Sequence, residues 1–289
     1  MNIHFPSLRA FYEVGRCGSF TAAADRLFLT QPAVSKAVSV LEERMGLALL
    51  ERTSRQVRMT EAGQALWEHA RSIFALERAA LDEMAERRGL RRGRLVIGAS
   101  TTIASYWLAQ DLARLLARHP GMDIEVSSGN TQSMVARVLD GSVEMALVEG
   151  PVGEERLDCH WWRNEPLLLI CPPALAVNPR DLSQTRWVVR EQGSGTAQVV
   201  ETYLTLAGIQ PRQRVVVESN QAVVELVVAG SGVAIVPAVM AAAHLERGEL
   251  QTLPWPLYPL ERPLSKITLK GRPASPARHV FEGLLAERR

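Results

Sequence analysis

The sequence predicts an α/β multidomain protein: a winged helix-turn-helix at the front, a long linker helix behind it, and a larger strand-helix domain at the back. Three observations carry this reading. A helix over Thr30 to Gly46 separates apolar from small polar and basic residues, and it stands between a short alanine-rich helix and an arginine-bearing hairpin. From Glu61 to about Arg87, apolar residues recur at seven-residue spacing. From Arg94 onward, short apolar runs alternate with helical patterns, the plan of a mainly parallel α/β sheet. A chain of 289 residues is long enough for two or three separate cores.

The first helix runs from Ser7 to Cys17, with Leu8, Phe11, Tyr12 and Val14 apolar and Gly18 ending it. Ser19 starts the second, Phe20 to Phe28, whose Ala22, Ala23 and Ala24 are small enough for another helix to cross closely. In the third, Thr30 can cap with its hydroxyl, Pro32 sits where a missing N–H costs nothing, and Gly46 can close the end. Val34, Val38, Leu41 and Met45 share one face; Gln31, Ser35, Lys36 and Ser39 share another. Two apolar stretches, Leu47 to Glu51 and Gln56 to Met59, then form a hairpin carrying Arg52, Arg55 and Arg58. Thr60 and Glu61 cap the next helix. Such a winged helix-turn-helix sends its third helix into the major groove and its wing to phosphate or the minor groove.

On the long helix, Leu66, Ile73 and Ala80 are spaced by seven, as are Trp67, Phe74 and Leu81, with Ala70 and Met84 alongside. A stripe with no neighbouring helix in sequence buries itself against another chain or the downstream domain rather than its own front. Gly89, Arg91, Arg92 and Gly93 read as a hinge.

The back of the chain offers strands at Leu95–Gly98, 124–126, 145–148, 167–170, 187–189, 215–217 and 234–236, with a helix marked by Leu108, Leu112, Leu115 and Leu116. Ligands in such folds bind beyond the carboxyl ends of strands, at helix N-termini. Three polar turns take that position: Ser100-Thr101-Thr102, Asn130-Thr131-Gln132 and Gly193-Ser194-Gly195-Thr196. Each combines backbone N–H groups, hydroxyls and a positive helix end, which suits a carboxylate, sulfate or phosphate.

Several functions are disfavoured. GSG at 193–195 and 230–232 is not the GxSxG nucleophile elbow, no HExxH occurs, and the six histidines are scattered, so an enzyme is not expected. Cys17, Cys159 and Cys171 are odd in number and far apart, which reads as buried thiols rather than disulfides or a zinc site; no cofactor or metal is expected. The N-terminus lacks a signal-peptide pattern and no apolar run approaches the roughly 20 residues of a membrane span, so the expected location is cytoplasmic, which disfavours an exported solute-binding protein. Residues 1–94 hold 15 Arg or Lys against 11 Asp or Glu, and the remainder 18 against 20, which puts the positive excess at the front. The adjacent Trp161 and Trp162 are assigned to buried packing.

The run SLRAFYEVGRCGSFTAAADRLFLTQPAVSKAVSVLEERMGLALLERTSRQVRMTEAG, 7–63, closely resembles the DNA-binding domain of LysR-type transcriptional regulators. Ser19-Phe20, Gln31-Pro32-Ala33, Leu41-Glu42, Arg52 and Thr60-Glu61-Ala62-Gly63 carry the likeness; Leu50 and Met59 replace the usual Phe and Leu. The back resembles the family's effector domains more loosely, through Gly93-Arg94-Leu95, the GSGT turn and 230–237. Where relatives often follow GSGT with Arg, Ala197 stands, so no cationic clamp is expected there. The resemblance implies residues 1–60 as the DNA-binding domain, 61–90 as a linker helix forming a dimer, and 91–289 as a two-lobed, periplasmic-binding-protein-like effector domain. Its lobes would be about 94–162 with 267–289, and about 163–266. Gln31, Pro32, Ser35, Lys36 and Ser39 with wing residues Arg52, Arg55 and Arg58 would meet double-stranded DNA bearing a dyad-symmetric operator. Ser100, Thr101, Thr102, Thr131, Ser194, Thr196, Ser219 and Asn220 would meet a small anionic effector. The working form would be a homodimer or homotetramer.

Overall fold

The computed structural model describes residues 3–52, 57–87, 93–178, 182–255 and 259–287. The chain divides into two compact units, Met1–Ala85 and Glu86–Arg289.

In the first unit α1 (Phe5–Cys17), α2 (Phe20–Leu27) and α3 (Gln31–Met45) precede the antiparallel strands β1 (Leu50–Arg52) and β2 (Val57–Met59), and α4 (Glu61–Arg87) follows. α1 starts ahead of the expected Ser7 because Pro6 suits a first turn that needs no N–H. Ser19 accepts a hydrogen bond from the Ala22 N–H and opens α2, while Ala23 and Ala24 are buried at the helix crossing. Val34, Val38 and Leu41 of α3 pack with Leu8, Phe11 and Val14 of α1 in one core. Thr30 stands at the N-cap position but its hydroxyl caps nothing, contrary to expectation. The second residue of the helix is Pro32, so one of the two N–H groups such a cap serves is missing. Gly46 closes α3 with φ of 67°. β1 starts later than expected, at Leu50, with Leu47 to Leu49 leading into it; Gln56, the expected start of the second strand, lies outside the described residues. At the start of α4 the expected cap forms: the Thr60 hydroxyl accepts from the Gly63 N–H at 2.9 Å and donates to the Ala48 carbonyl at 2.7 Å.

α4 corrects the expectation for its apolar stripe. Its first half packs on its own chain: the Trp67 and Tyr12 rings stack at 5.6 Å, Trp67 Nε1 donates to the Tyr12 carbonyl at 3.1 Å, and Phe74 lies 5.3 Å from Tyr12. Leu66 and Ile73 join the same core. Further along, Leu76, Leu81 and Met84 are 51%, 65% and 48% exposed. The expected hinge residues Gly89, Arg91 and Arg92 lie outside the described residues.

The second unit holds β3 (Arg94–Ser100), α5 (Leu108–Arg118), β4 (Asp123–Gly129), α6 (Thr131–Leu139), β5 (Met145–Glu149), β6 (Leu157–Cys171), β7 (Arg186–Arg190), α7 (Gly195–Leu206), β8 (Gln213–Val217), α8 (Asn220–Val228), β9 (Ala234–Pro237), α9 (Ala238–Glu246), β10 (Gln251–Leu253), β11 (Glu261–Leu269) and α10 (Pro276–Ala286). A π-helical turn, Ile103–Trp107, leads into α5. One sheet has the order β10-β6-β11-β5-β3-β4, with β9 also on β6, and β7 pairs with β8 in a second. β3 is parallel to β4 and β5, and β7 to β8. β11, however, runs antiparallel to β5 and β6, and β6 antiparallel to β9 and β10. The architecture is therefore mixed rather than mainly parallel, because the tail returns as β11 between β5 and β6 without a crossover helix. β6 and β11 run through two lobes. In the first, Leu95, Ile97 and Phe281 pack on one face of the sheet and Met134, Val138 and Ile267 on the other. In the second, Leu169, Trp187 and Ile235 form one cluster and Ile170, Val224 and Val236 another.

Two smaller expectations fail, the first because successive strand residues face opposite ways. On β6, Trp162 is buried but Trp161 is 56% exposed; Cys159 is exposed, Cys17 half-buried and only Cys171 buried. Among the described residues, no helix is long and apolar enough to cross a membrane.

Candidate functional site

Two separate surfaces answer to the expected residues. On the first unit, α3 buries one face and leaves Gln31, Pro32, Lys36 and Ser39 exposed, with Ser35 half-buried. Glu42, at the other end of this helix, accepts from the Leu49 and Leu50 N–H groups at 2.8 and 3.1 Å, so one carboxylate oxygen fixes the angle between α3 and the wing. Arg58 is exposed on β2 opposite Glu51 of β1. The backbone of Arg52 belongs to β1; its side chain, and Arg55 altogether, lie outside the described residues.

On the second unit, the ends of β3, β5 and β7 converge with the starts of α6, α7 and α8. Ser194 and Ser219 are spent locally, capping α7 and α8 through backbone N–H groups. Thr101 is half-buried, its carbonyl accepting from Ser105. Ser100, Thr102, Thr131, Thr196 and Asn220 are all buried and come together between the lobes. Asn220 Nδ2 donates to the Thr102 hydroxyl at 2.9 Å and the Thr196 hydroxyl at 3.3 Å, linking the lobes. Its Oδ1 is buried and has no hydrogen-bond partner among the described residues.

At the centre is a group not among the expected site residues, Glu149, the last residue of β5. Ser100 donates to its Oε2, Thr196 donates to its Oε1 at 3.2 Å, and Thr131 donates to its carbonyl at 2.9 Å. Arg262 of β11, fully buried, lies with Nη1 3.2 Å from Glu149 Oε1 and also donates to Thr196. Its Nε donates to Glu165 Oε2 at 2.7 Å, and Nη2 lies 2.6 Å from the same oxygen. Trp107, on the π-helical turn, donates to the other Glu165 oxygen at 2.7 Å. Arg262 thus supplies a cation that Ala197 did not lead one to expect. It reaches the GSGT turn from 66 residues away.

Nearer the surface, Asn130 Nδ2 of the first lobe donates to Glu191 at 3.1 Å, and Arg190 grips the same carboxylate with Nε at 2.7 Å and Nη2 at 3.0 Å. Burial pushes the Glu191 carboxyl up, but the Arg190 and Asn130 donors outweigh it and hold it below the usual carboxylate range. A groove of about 1020 Å³ opens beside these residues, lined by Thr131, Gln132, Arg190, Ser194 and Arg214 among others. The lobes meet closely behind it: a Cβ on Gly195 would lie 1.7 Å from the Glu149 carbonyl. Among the described residues no cluster of three His, Cys, Asp or Glu side chains is arranged to hold a metal.

The missed residues left partial signals. Arg262 falls between Leu260 and Leu264 at an inward position of a two-residue alternation, and Glu149 ends a fully apolar strand at its carboxyl end.

Residues 88–289 match the family model described as LysR substrate binding domain, and residues 5–64 the one described as bacterial regulatory helix-turn-helix protein, lysR family. A RuBisCO operon transcriptional regulator of Allochromatium vinosum is 31% identical over 99% of this chain and 97% of its own. Among solved structures, full-length CbnR in complex with its target DNA superposes with a TM-score of 0.64 at 24% identity, covering 99% of this chain and 100% of CbnR. Full-length LysG of Corynebacterium glutamicum with bound effector Arg gives 0.68 at 20% identity, covering 99% of this chain and 97% of LysG.

Proposed function

The chain belongs to the LysR family of transcriptional regulators, and from that premise we propose that residues 1–60 read a dyad-symmetric operator, 61–90 join two copies, and 91–289 bind a small anionic effector between lobes 94–162 with 267–289 and 163–266. Gln31 pairs with adenine and Lys36 with guanine or phosphate, while Pro32, Ser35 and Ser39 lie along the groove and Arg52, Arg55 and Arg58 hold phosphates. A dimer, or a tetramer built from two, presents two such helices to two half-sites. Such a protein works in the cytoplasm, where the operator is.

The observation that carries the DNA reading is that α3, buried on one side, exposes Gln31 and Lys36 at its N-terminal end and is tied to the wing through Glu42 near its other end. CbnR, of the same fold, is bound to its target DNA. Support for the effector site comes from buried hydroxyls of both lobes around one cleft, and from LysG, which holds its effector Arg. In this chain the hydroxyls of Ser100, Thr131 and Thr196 act as donors, which suits an anion. Thr101, Thr102, Ser194, Ser219 and Asn220 shape the same site. The effector changes lobe closure, and lobe closure changes the bend or spacing imposed on DNA, provided the two states bind the effector unequally.

Operator binding by variants tests the first part. Gln31→Ala and Lys36→Ala are expected to relax base preference, at a cost of about 1 to 3 kcal/mol for a bidentate contact. Arg58→Ala weakens binding to all sequences alike. Loss of base preference in Arg58→Ala with none in Gln31→Ala would reverse these assignments. For the effector, footprints of the full-length chain with small anions are expected to change in length or bend; footprints unaltered by any anion would overturn the anionic reading.

A further inference from the structure

The cleft already contains an anion. Glu149 Oε2 accepts from Ser100, and Oε1 accepts from Thr196 at 3.2 Å and lies 3.2 Å from Arg262 Nη1. The Thr196 hydroxyl itself accepts from Asn220 and from Arg262, which leaves its single proton for the carboxylate. Among the described residues, the partners of the Glu149 carboxylate are two hydroxyl donors and one guanidinium. A position met by two hydroxyl donors and a buried guanidinium suits an acceptor-only group, a carboxylate or another oxyanion.

We propose that Ser100, Thr196 and Arg262 form the oxyanion seat of the effector cleft, that Glu149 is its resident occupant, and that the effector is a small oxyanion that exchanges with the Glu149 carboxylate. The proposal rests on the anionic-effector reading and names the device within it. Charge favours the exchange. The buried cluster has two carboxylates, Glu149 and Glu165, for one guanidinium, and a monoanion such as formate or acetate leaves that balance unchanged once the Glu149 carboxylate has turned out of the cluster. An effector cation in the seat would instead adjoin Arg262, and an empty seat would leave two hydroxyls without their acceptor and the Arg262 charge with one carboxylate fewer.

The exchange is a movement of a side chain. The Glu149 carbonyl is held by Thr131 at 2.9 Å, and the next N–H, of Gly150, donates to the Pro263 carbonyl at 2.9 Å. The backbone is further blocked by Gly195, where even a Cβ has no room. Glu149 therefore leaves by rotating about its own side-chain bonds as the lobes part, and the incoming oxyanion takes over the bonds that join Ser100 of one lobe to Thr196 of the other.

Thermal melting of the full-length chain tests this with formate, acetate, sulfate and phosphate, against sodium chloride at equal ionic strength. If Glu149 holds the seat about nine-tenths of the time or more, removing it raises anion affinity about tenfold or more, because apparent affinity scales with the fraction of free seats. Glu149→Ala is expected to bind at least one of these anions that much more tightly than the unaltered protein, and Ser100→Ala in that background to lose the gain. Glu149→Gln keeps the side chain's shape but turns an N–H2 group toward the donors, so it holds the seat weakly and is expected to gain affinity too if Glu149→Ala does not fold. Equal affinity in the unaltered and substituted proteins overturns the exchange while leaving the anionic-effector reading intact. No response to any of the four anions in either protein also overturns the exchange, and the anionic-effector reading then stands or falls on the footprints alone.

Discussion

Glu42 joins the two parts of the DNA-binding surface through a single side chain, accepting from two consecutive backbone N–H groups at the entry to β1. Removing it leaves two donors without their acceptor, at a cost of about 1 to 3 kcal/mol. Glu42→Ala is therefore expected to lower the denaturation midpoint of the first unit and to weaken operator binding, whereas Glu43→Ala on the exposed side of the helix changes neither. Equal effects from the two would show that the wing is held by other contacts. At this scale the sequence was legible where a residue acts on near neighbours: Ser19 and Thr60 cap as expected, and Val34, Val38 and Leu41 are buried on one face. It was not legible where partners are distant. Nothing local to Glu149 announces Arg262, which reaches it from another strand; the hydroxyl-bearing turns were recognisable as polar turns, while the carboxylate that Ser100 and Thr196 bond was not. Thr30 failed at close range because Pro32 removes an N–H it would have served.

At the scale of elements, α4 divides its seven-residue stripe between two duties. Trp67, Ala70 and Phe74 are taken up by Tyr12 and the rest of the first core, while Leu76, Leu81 and Met84 remain exposed on the same helix. Periodicity reveals that a stripe will be buried but not against what, which is why the packing on α1 was missed. The exposed half is where a second copy of the chain is expected to dock. Leu81→Ser with Met84→Ser should shift the protein toward monomer in sedimentation while its melting by circular dichroism stays close to that of the unaltered chain. A dimer that persists in this variant would place the interface elsewhere. Strands show a similar limit. The apolar centres of β3, β5, β7 and β9 were readable as runs, but β10 and β11 and the first ten residues of β6 were not, because polar residues such as His160, Arg163, Asn164 and Lys266 interrupt them. Their pairing is long-range and antiparallel, and a local pattern does not encode it.

At the scale of the whole molecule, the formal charge of +2 is too small to make this a general nucleic-acid binder, so DNA affinity depends on where the cations stand. The excess lies in the first 94 residues, and Lys36 and Arg58 are exposed on α3 and the wing. If two such surfaces in a dimer neutralise about 6 to 10 phosphates, the logarithm of the operator binding constant falls linearly with the logarithm of salt concentration, with a slope of about −0.9 for each phosphate contacted. Loss of one phosphate contact per subunit, as in Arg58→Ala, should then make the slope less steep by about 1.8. Gln31→Ala removes a base contact and no charge, so its affinity falls while its slope stays with that of the unaltered protein. Fluorescence anisotropy of labelled operator across a salt series separates these outcomes. A flat dependence in the unaltered protein, or a slope that Gln31→Ala changes and Arg58→Ala does not, would mean that the charge on the wing is not what holds the regulator to its site.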